Sequence, residues 1–379
     1  MTPFGARRRI RVVQVVLDLE AGGLERVVAD LARRLDPERF EVHILALRYL
    51  GRNAKGLEPH AALHIAPPLP AWTMIWPRPL ETVFRKISPD IVHSHSGAWY
   101  KSAIAASHAG IRGILHTEHG RPEPDAWIGR AIEFVASGRT DVLIGVSSDL
   151  ANKMRRWTAR RCRIEAIPNG VETDFFAPSP RRREARGEFL LPVNAPVIGC
   201  VARLDPIKDF ATLIEAIALL RRDWAGGEPP VLAIAGEGPE RERILGLAAR
   251  WGVQDAVHLL GWVEGSPRLY GAFDVFTLSS RSEGTSIALL EAMSCEVCPV
   301  VTSVGGNPAV LGDALGDLLV PPASPHALAE RWRTVLKNAD YRVATAAFSR
   351  RRVLEQFSLR AMVDRYQTLY TTLAFGATV

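Results

Sequence analysis

Residues 10 to 35 read "IRVVQVVLDLEAGGLERVVADLARRL", in which an apolar, β-branched run leads through a glycine pair into a helical pattern. The same order of strand and helix recurs along the chain, and this alternation predicts parallel sheets with helices on both faces. The fold class is therefore α/β. We expect strands near 10–17, 41–47, 90–93, 113–116, 141–146 and 164–167, and then near 197–202, 231–235, 256–260, 274–278 and 298–302.

The length of 379 residues exceeds what one hydrophobic core normally covers, so we expect more than one domain. A stretch rich in Pro and Arg, "FFAPSPRRREARGEFLLPVNAP", separates the two series of strands and indicates a linker with a short charged helix. The domain boundary therefore lies between residues 175 and 195. Each half is long enough for a doubly wound domain, which binds ligands at the carboxyl ends of its strands. Two facing domains of this kind would enclose a cleft.

The composition is that of a soluble globular enzyme, with 47% apolar and 23% charged residues. No run reaches the roughly 18 apolar residues that a membrane-spanning helix needs, so we expect a protein that is soluble or rests on a membrane surface. Four scattered cysteines do not form a disulfide framework, and this favours the reducing cytoplasm.

The positive charge is concentrated in the first half of the chain. Residues 1–178 hold 25 Lys and Arg against 19 Asp and Glu, whereas the remainder holds 22 of each. A basic half suggests an anionic partner, such as a phospholipid surface or a phosphorylated acceptor, and the alternative is an ordinary solvated surface. The loop "PPLPAWTMIWPRPL" (67–80) either exposes Trp72, Met74, Ile75 and Trp76 beside Arg78, as an acceptor or membrane contact, or buries its tryptophans against the domain.

Histidines end two of the predicted strands, in "PDIVHSHSG" and "GILHTEHG". Four such residues raise the hypothesis of a zinc site, but neither a helical H-x-x-x-H nor a paired-cysteine motif accompanies them, and a polar lining for a substrate cleft is the simpler interpretation. His119, which precedes Gly120 in a loop, is the candidate that we expect to reach substrate. The C-x-x-C of Cys295 and Cys298 suggests redox or metal chemistry, with core cysteines as the favoured alternative.

Several loops at strand ends have residues suited to phosphate. In "GCVARLDPIKDF" (199–210), Arg203 and Lys208 can embrace one diphosphate, unless they pair with Asp205 or Asp209. Glycines at other strand-to-helix turns allow a backbone to approach a ligand closely, and tight turns are the alternative. These glycines are Gly22, Gly23, Gly236 and Gly238.

The stretch "RSEGTSIALLEAM" (281–293) contains two carboxylates eight positions apart, Glu283 and Glu291. Ser286 is a competent N-cap, so a helix should begin there and direct its free amides at a phosphate. Glu291 lies among apolar residues and needs polar partners, which are either ligand hydroxyls or an internal salt bridge. Glu283 lies near the positive end of the helix, which is favourable in itself.

These motifs together resemble the family 4 retaining glycosyltransferases, whose GT-B architecture consists of two facing Rossmann-like doubly wound domains with a cleft between them. The likeness runs through "GGLER", "PDIVHSH", "HTEHG", "VSSDL", "IPNGVET", "VARLDPIKDF", "AGEGPER", "EGTSIALLEAM" and "PVVTSVGGN". The two spaced glutamates match the E-x7-E motif of that family. Two departures, Ala309 and Glu296, stand where many relatives have an acidic residue and a glycine.

The resemblance implies an acceptor-binding domain (1–178), a nucleotide-sugar-binding domain (179–356) and a C-terminal helix (357–379) that crosses back onto the first. It implies a metal-independent hexosyltransferase with no cofactor, whose donor is a UDP- or GDP-linked sugar. Glu291 would bind the ribose, Arg203 and Lys208 the diphosphate, and Glu283 the sugar. The other implied contacts are Gly284, Thr285 and Ser286 to sugar and phosphate, Gly22 and Gly23 to donor or acceptor, and His119 near the reacting centre.

The resemblance also implies a glycan or lipid-linked acceptor in cell-surface polysaccharide or glycolipid assembly, and no nucleic acid as partner. We expect a cytoplasmic protein, with a peripheral position on the inner face of the cell membrane as an extension of that hypothesis. Two alternatives stay open: a nucleotide-sugar epimerase on the same fold, which needs no acceptor, and a non-catalytic binder of nucleotide sugars.

Overall fold

A computed structural model describes residues 8–20, 22–120, 127–158 and 161–376. The chain divides into two compact units. The first unit consists of Met1–Asn169 together with Arg360–Val379, and the second unit is the continuous segment Gly170–Leu359. The sequence-based boundary at residue 178 lies nine residues beyond this division.

Each unit contains one parallel sheet, with seven strands in the first and six in the second across the described residues. The order in the first sheet is β3-β2-β1-β4-β5-β6-β7, and the order in the second is β10-β9-β8-β11-β12-β13. The strands are β1 (Ile10–Asp18), β2 (Phe40–Tyr49), β3 (Ala62–Ile65), β4 (Ile91–His95), β5 (Gly113–Glu118), β6 (Val142–Gly145), β7 (Arg163–Ala166), β8 (Val197–Val201), β9 (Val231–Ala235), β10 (Val257–Gly261), β11 (Val275–Leu278), β12 (Cys298–Thr302) and β13 (Leu319–Val320).

Helices connect most of the strands, as parallel pairing requires. They are α1 (Gly23–Arg34), α2 (Arg78–Ile87), α3 (Trp99–His108), α4 (Trp127–Ser137), α5 (Ser148–Trp157), α6 (Arg182–Glu188), α7 (Phe210–Arg222), α8 (Arg241–Trp251), α9 (Pro267–Gly271), α10 (Ile287–Ser294), α11 (Asn307–Leu311), α12 (Pro325–Lys337), α13 (Ala339–Gln356) and α14 (Leu359–Phe375). Almost all of α14 falls in the first unit, although it follows the second unit in the sequence.

The central strand β1 shows why this sequence forms such a sheet. It pairs in parallel with β2 on one side and β4 on the other. Val12, Val13, Val15 and Val16 on its two faces are fully buried. Residues buried on both faces give a continuous apolar run, which is the pattern of a strand inside a parallel sheet.

All eleven strands expected from the sequence are present, and the structure adds β3 and β13. Both added strands lie at an edge of their sheet. β13 has two residues, and β3 has four with none of them fully buried. Short edge strands lack the apolar run that identifies interior strands, which is why the sequence did not reveal them.

The predicted charged helix of the linker is α6, and it is fastened to the second unit. Arg186 is buried there, and its guanidinium lies 2.6 Å from the carboxylate of Asp274. The same guanidinium donates to the carbonyl oxygens of Ala272 at 3.0 Å and Val193 at 2.6 Å. A buried arginine held by a carboxylate and by backbone carbonyl groups makes this segment part of a packed domain.

The loop before α2 exposes its large apolar side chains. Residues Ala71–Met74 form a 3₁₀ turn, in which Trp72 is half-exposed. Ile75 is 86% exposed, and Trp76 is exposed by about half. The alternative interpretation, in which this loop buries its tryptophans, is therefore wrong. Of the helices within the described ranges, none combines the length and apolar character that crossing a bilayer requires.

Candidate active site

Lys208 and Glu283 form an ion pair on the loops that follow the neighbouring strands β8 and β11. Nζ of Lys208 donates to Oε1 of Glu283 at 2.7 Å, and the side chains are 21% and 7% exposed. Oγ of Ser280 donates to the same carboxylate oxygen at 2.6 Å. Charge-assisted hydrogen bonds of this length are among the stronger polar contacts in proteins, so the carboxylate is held in one position.

Backbone contacts hold these two loops together. Oγ of Ser279 donates to the carbonyl oxygens of Lys208 at 2.8 Å and Asp209 at 3.1 Å. The amide of Arg281 donates to the carbonyl oxygen of Ile207 at 2.9 Å, and its guanidinium lies 3.0 Å from the carboxylate of Asp209. These contacts hold the two loops that position the ion pair of Lys208 and Glu283.

Arg203 forms an ion pair with Asp205, the arrangement that the sequence left open as an alternative to diphosphate binding. Its side chain is 67% exposed. Arg203 and Lys208 thus have separate carboxylate partners in the structure. An exposed arginine pair contributes little to stability, so the guanidinium of Arg203 can turn to another anion at small cost.

Glu291 lies inside α10 and is 8% exposed. The hydroxyl of Tyr270, on α9, donates to Oε2 of Glu291 at 2.5 Å. Burial and the charge of Glu291 raise the pKa of Tyr270 well above its usual value, so this hydroxyl keeps its proton. No local sequence signal marks Tyr270 as a partner of Glu291, because only the packing of α9 on α10 brings the two together.

The helix that contains Glu291 begins where the sequence predicts. Ser286 is the N-cap of α10, and its Oγ accepts a hydrogen bond from the amide of Leu289 at 3.3 Å. Gly284 and Thr285 lie between this cap and Glu283. The start of α10 is therefore next to the carboxylate that binds Lys208, and the free amides of a helix start favour an anion.

The glycines of the second unit allow loops to approach each other closely at this edge of the sheet. Gly236 has φ +144°, and a Cβ there would lie 1.9 Å from the carbonyl oxygen of Ala202. Gly238 has φ +154°, and a Cβ there would lie 2.5 Å from the carbonyl oxygen of Leu204. The neighbouring backbone of the loop after β8, which leads to Arg203, is what requires glycine at both positions.

A third close approach fixes the loop of Glu283. A Cβ on Gly305 would lie 1.8 Å from the carbonyl oxygen of Glu283. The amide of Gly306 donates to the carbonyl oxygen of Gly284 at 3.0 Å. The loop after β12 therefore supports the turn that carries the acidic side chain.

The glycine pair of the first unit has a different environment. Gly22 is the N-cap of α1 with φ −178°, and Gly23 is the first residue of that helix. The backbone of Gly22 is extended, and a Cβ there would meet only the side chain of Glu25. Neither the conformation nor a nearby backbone requires glycine at this position.

His119 follows β5 and belongs to a chain of polar side chains in the first unit. Its Nε2 lies 3.0 Å from Nδ1 of His95, and Nε2 of His95 lies 2.7 Å from Oε1 of Gln14. Burial lowers the pKa of His119 to about 4 and that of His95 well below its usual value. Both rings are therefore neutral near pH 7.

The other two histidines of the strand ends are fully buried, as is His95, and do not line an open cleft. His93 lies 2.6 Å from the hydroxyl of Tyr370 and 2.7 Å from that of Thr117. His116 stacks on Trp99 with ring centroids 4.4 Å apart. Among the residues that the structure describes, no group of three or more His, Cys, Asp or Glu side chains is arranged to hold a metal ion.

The cysteines of the C-x-x-C pattern belong to the core of the second unit, as favoured from the sequence. Cys295 and Cys298 are buried and free. Burial raises the pKa of each thiol to about 12, so neither is a thiolate at neutral pH.

Family models match both halves of the chain. The model described as Glycosyltransferase Family 4 matches residues 21–175, and the model described as Glycosyl transferases group 1 matches residues 181–352. Crystalline Anabaena HepE in complex with UDP-glucose has a similar fold, with a TM-score of 0.82 at 19% identity over 96% of this chain and 100% of that one.

Relatives from two mycobacterial species have the name GDP-mannose-dependent alpha-(1-6)-phosphatidylinositol monomannoside mannosyltransferase. The protein from Mycobacterium tuberculosis is 27% identical over 96% of this chain and 97% of its own length. The protein from Mycolicibacterium smegmatis is 30% identical over 61% of this chain and 69% of its own length.

The two parallel-sheet Rossmann-like units have the GT-B fold, and the family models matched by both halves make the chain a glycosyltransferase. The resemblance inferred from the motifs is thereby confirmed. The chain belongs to glycosyltransferase family 4.

Proposed function

We propose that this enzyme transfers a sugar from a UDP- or GDP-linked donor, with retention of anomeric configuration, to a lipid-linked or carbohydrate acceptor. The observation that carries the proposal is the cluster of Lys208, Glu283 and Ser280 beside the start of α10, with Glu291 in the same helix. Relatives named as GDP-mannose-dependent mannosyltransferases support a nucleotide-sugar donor.

The second unit is proposed to bind the donor. Glu291 is assigned to the ribose hydroxyls, because a buried carboxylate is a strong hydrogen-bond acceptor. Lys208 and Arg203 are assigned to the diphosphate. Glu283 and the segment Gly284 to Ser286 are assigned to the sugar and its phosphate. Gly236 and Gly238 shape the loop that bears Arg203.

The chemistry proposed for transfer depends on the departing diphosphate. A double displacement needs a carboxylate on the face of the sugar opposite the leaving group. The acidic side chain assigned to the sugar, Glu283, is already engaged by Lys208 and Ser280. We therefore favour attack from the face of the leaving group. Positioning and the stabilisation of negative charge by Lys208 and Arg203 supply most of the catalysis.

The first unit is proposed to bind the acceptor, with Gly22 and Gly23 near a phosphate and His119 near the reacting centre. The extended backbone of Gly22 supports close approach of a ligand, because the fold itself does not demand glycine there. The Nδ1 atom of His119, which has no hydrogen-bond partner among the described residues, supports a polar contact with substrate.

The decisive test is transfer by two variants, Lys208→Ala and Glu291→Ala, with Lys337→Ala as a matched change of an exposed lysine. We expect both to lose at least about 100-fold in kcat/KM, Lys208→Ala because the departing diphosphate loses a cation and Glu291→Ala because the donor loses its ribose contact. Lys337→Ala should behave like the wild type. Wild-type turnover in either site variant would overturn the assignment. Incubation with donor alone tests the epimerase alternative, which requires an isomerised sugar without acceptor.

The nucleotide can be identified by thermal shift with UDP- and GDP-linked glucose, mannose and N-acetylglucosamine. A true donor at 100 times its Kd should stabilise the second unit by about 2.7 kcal/mol. The Glu291→Ala variant should lose this shift, because the ribose contact is common to all the donors. A panel that shifts neither the wild type nor the variant would contradict the proposed donor class.

We further propose that the first unit contacts an anionic phospholipid surface. The support comes from the exposed side chains of Trp72, Ile75 and Trp76, from Arg78 beside them, and from the excess of basic residues before position 178. Aromatic side chains insert at the interface of a bilayer while cations attract its charge. The relatives named for phosphatidylinositol monomannoside also fit a lipid acceptor.

Sedimentation with vesicles tests this surface. Binding should require phosphatidylinositol in a phosphatidylcholine vesicle and should weaken as salt rises. The triple variant Trp72→Ser, Ile75→Ser and Trp76→Ser should lose it, whereas Val343→Ser, at a site 66% exposed in the second unit, should not. Binding that is insensitive to salt and to the triple variant would refute the proposed surface.

A further inference from the structure

Four side chains of the first unit form an unbroken chain of hydrogen bonds that ends at His119. Nε2 of His119 lies 3.0 Å from Nδ1 of His95, whose Nε2 lies 2.7 Å from Oε1 of Gln14. Nε2 of Gln14 donates to the hydroxyl of Tyr370 at 3.3 Å. The four residues come from the loop after β5, from β4, from β1 and from α14, so this series of hydrogen bonds joins parts of the sequence that are far apart.

The orientation of the Gln14 amide determines where the protons lie. An amide oxygen can only accept, so Nε2 of His95 carries the proton of that contact. A neutral imidazole has one N–H, and Nδ1 of His95 is therefore an acceptor. His119 must then donate from Nε2, which leaves a lone pair on its Nδ1. Burial keeps His95 neutral, because it lowers the pKa of that ring well below its usual value.

The contacts of Tyr370, at the end of the series away from His119, agree with this order of donors and acceptors. The hydroxyl of Tyr370 accepts from Gln14 and can donate to Nδ1 of His93, 2.6 Å away. Nε2 of His93 is then free to donate to Oγ1 of Thr117 at 2.7 Å. Every one of these contacts pairs one donor with one acceptor, which is the condition for a stable buried network.

At the other end of this series of hydrogen bonds, His119 has a ring nitrogen that is not paired in this way. Within the described ranges, Nδ1 of His119 is shielded from solvent and has no hydrogen-bond partner. A shielded polar atom without a partner is unfavourable by itself. A ligand group that donates a hydrogen bond to this nitrogen would remove that cost.

We propose that Gln14 is a positioning residue that acts through His95 to hold His119 in the Nε2–H tautomer, so that its Nδ1 accepts a hydrogen bond from a substrate hydroxyl. Tyr370 holds the Gln14 amide in the required orientation. The inference rests on the proposed function for the contact between His119 and substrate. It gives that contact a direction: this site selects a hydroxyl in donor geometry, and an analogue in which fluorine replaces that hydroxyl should be rejected.

Ring-nitrogen chemical shifts of histidine-labelled full-length protein test the proton positions directly, and His119→Gln assigns the signals of His119. In the wild type, Nδ1 of His119 should have the shift of an unprotonated nitrogen and Nε2 that of a protonated one. Gln14→Met removes the amide and should give a mixture of tautomers. Tyr370→Phe is a milder variant with the same expected direction. Ser94→Ala, which removes a buried hydroxyl 3.0 Å from His116 instead, should leave His119 unchanged.

Kinetics test the functional half of the proposal. Gln14→Met should lower kcat/KM about tenfold, the worth of one hydrogen bond, while Ser94→Ala should leave it unchanged. A protonated Nδ1 in wild-type His119, or a His119 tautomer unchanged by Gln14→Met, would overturn the proposal. An altered tautomer with unaltered kinetics would also overturn it, because the substrate contact would be absent. If the wild type transfers no sugar, the proposed function fails, yet the ring shifts still decide the polarity of the chain.

Discussion

The contribution of the ion pair of Lys208 and Glu283 to stability should be separable from its contribution to catalysis. Its atoms are 2.7 Å apart, and the side chains are 21% and 7% exposed. Removal of one partner costs about 3–5 kcal/mol for a fully buried pair and about 1 kcal/mol or less for an exposed one. For this partly buried pair we expect Lys208→Met to lower the free energy of unfolding by about 2–4 kcal/mol, because Glu283 keeps its charge and loses its cation.

Changes in Glu283 should have a smaller effect. Glu283→Gln leaves an amide oxygen that Lys208 and Ser280 can still contact, so we expect a loss of about 1 kcal/mol. The double variant has neither charge and should be about as stable as Glu283→Gln alone. The coupling free energy between the two positions should therefore be about 2 kcal/mol or more.

Urea unfolding followed by tryptophan fluorescence measures these differences, since Trp332 is fully buried in the core of the second unit. Transfer activity of the same proteins separates the roles. The double variant should recover stability but not turnover, because the diphosphate still lacks Lys208. Additive losses of stability would refute the energetic coupling, and recovered turnover in the double variant would refute the assignment of Lys208 to the donor.

Three further outcomes can be checked. Tyr270→Phe should lower the free energy of unfolding by about 2 kcal/mol, because Glu291 loses a charge-assisted hydrogen bond, and an unchanged urea midpoint would contradict this. Gly305→Ala should lower the free energy of unfolding by about 3 kcal/mol or more, because its Cβ would overlap the backbone of Glu283. Gly246→Ala, on an exposed face of α8 with open space around it, should raise that free energy by about 0.5–1 kcal/mol. Equal urea midpoints in the two variants would be inconsistent with the close approach at Gly305. His119 has a pKa of about 4 in the folded protein against 6.5 for the free side chain, so the unfolded chain takes up this proton first as the pH falls. The contribution of His119 to the free energy of unfolding is therefore present above pH 6.5, and we expect that free energy to fall by about 2 kcal/mol between pH 7 and 5. The fall should be smaller in His119→Gln.

Features set by neighbouring residues in the chain were predicted well from the sequence. The start of α10 at the Ser286 cap is one example, because capping chemistry depends on a few consecutive residues. The interior strands were also found, since residues buried on both faces leave a continuous apolar signature.

Features that depend on distant residues were not visible. Tyr270 contacts Glu291 across 21 positions, and Gln14 contacts Tyr370 across 356. Neither pair has a spacing that a local pattern could reveal. The exposure of Trp76 was also undecided, because Pro spacing that excludes a long helix does not show which side of the loop packs on the domain.

The division of the chain has a consequence for its synthesis. The second unit is continuous from Gly170 to Leu359, so it can fold as soon as it has left the ribosome. The first unit is translated earlier, yet its buried network includes Tyr370, which is made after the second unit. Until α14 emerges, polar groups of β1 and β4 lack their final partners. These polar groups of the first unit therefore lack hydrogen-bond partners while the roughly 190 residues of the second unit are synthesised. In that interval the first unit should depend most on chaperones.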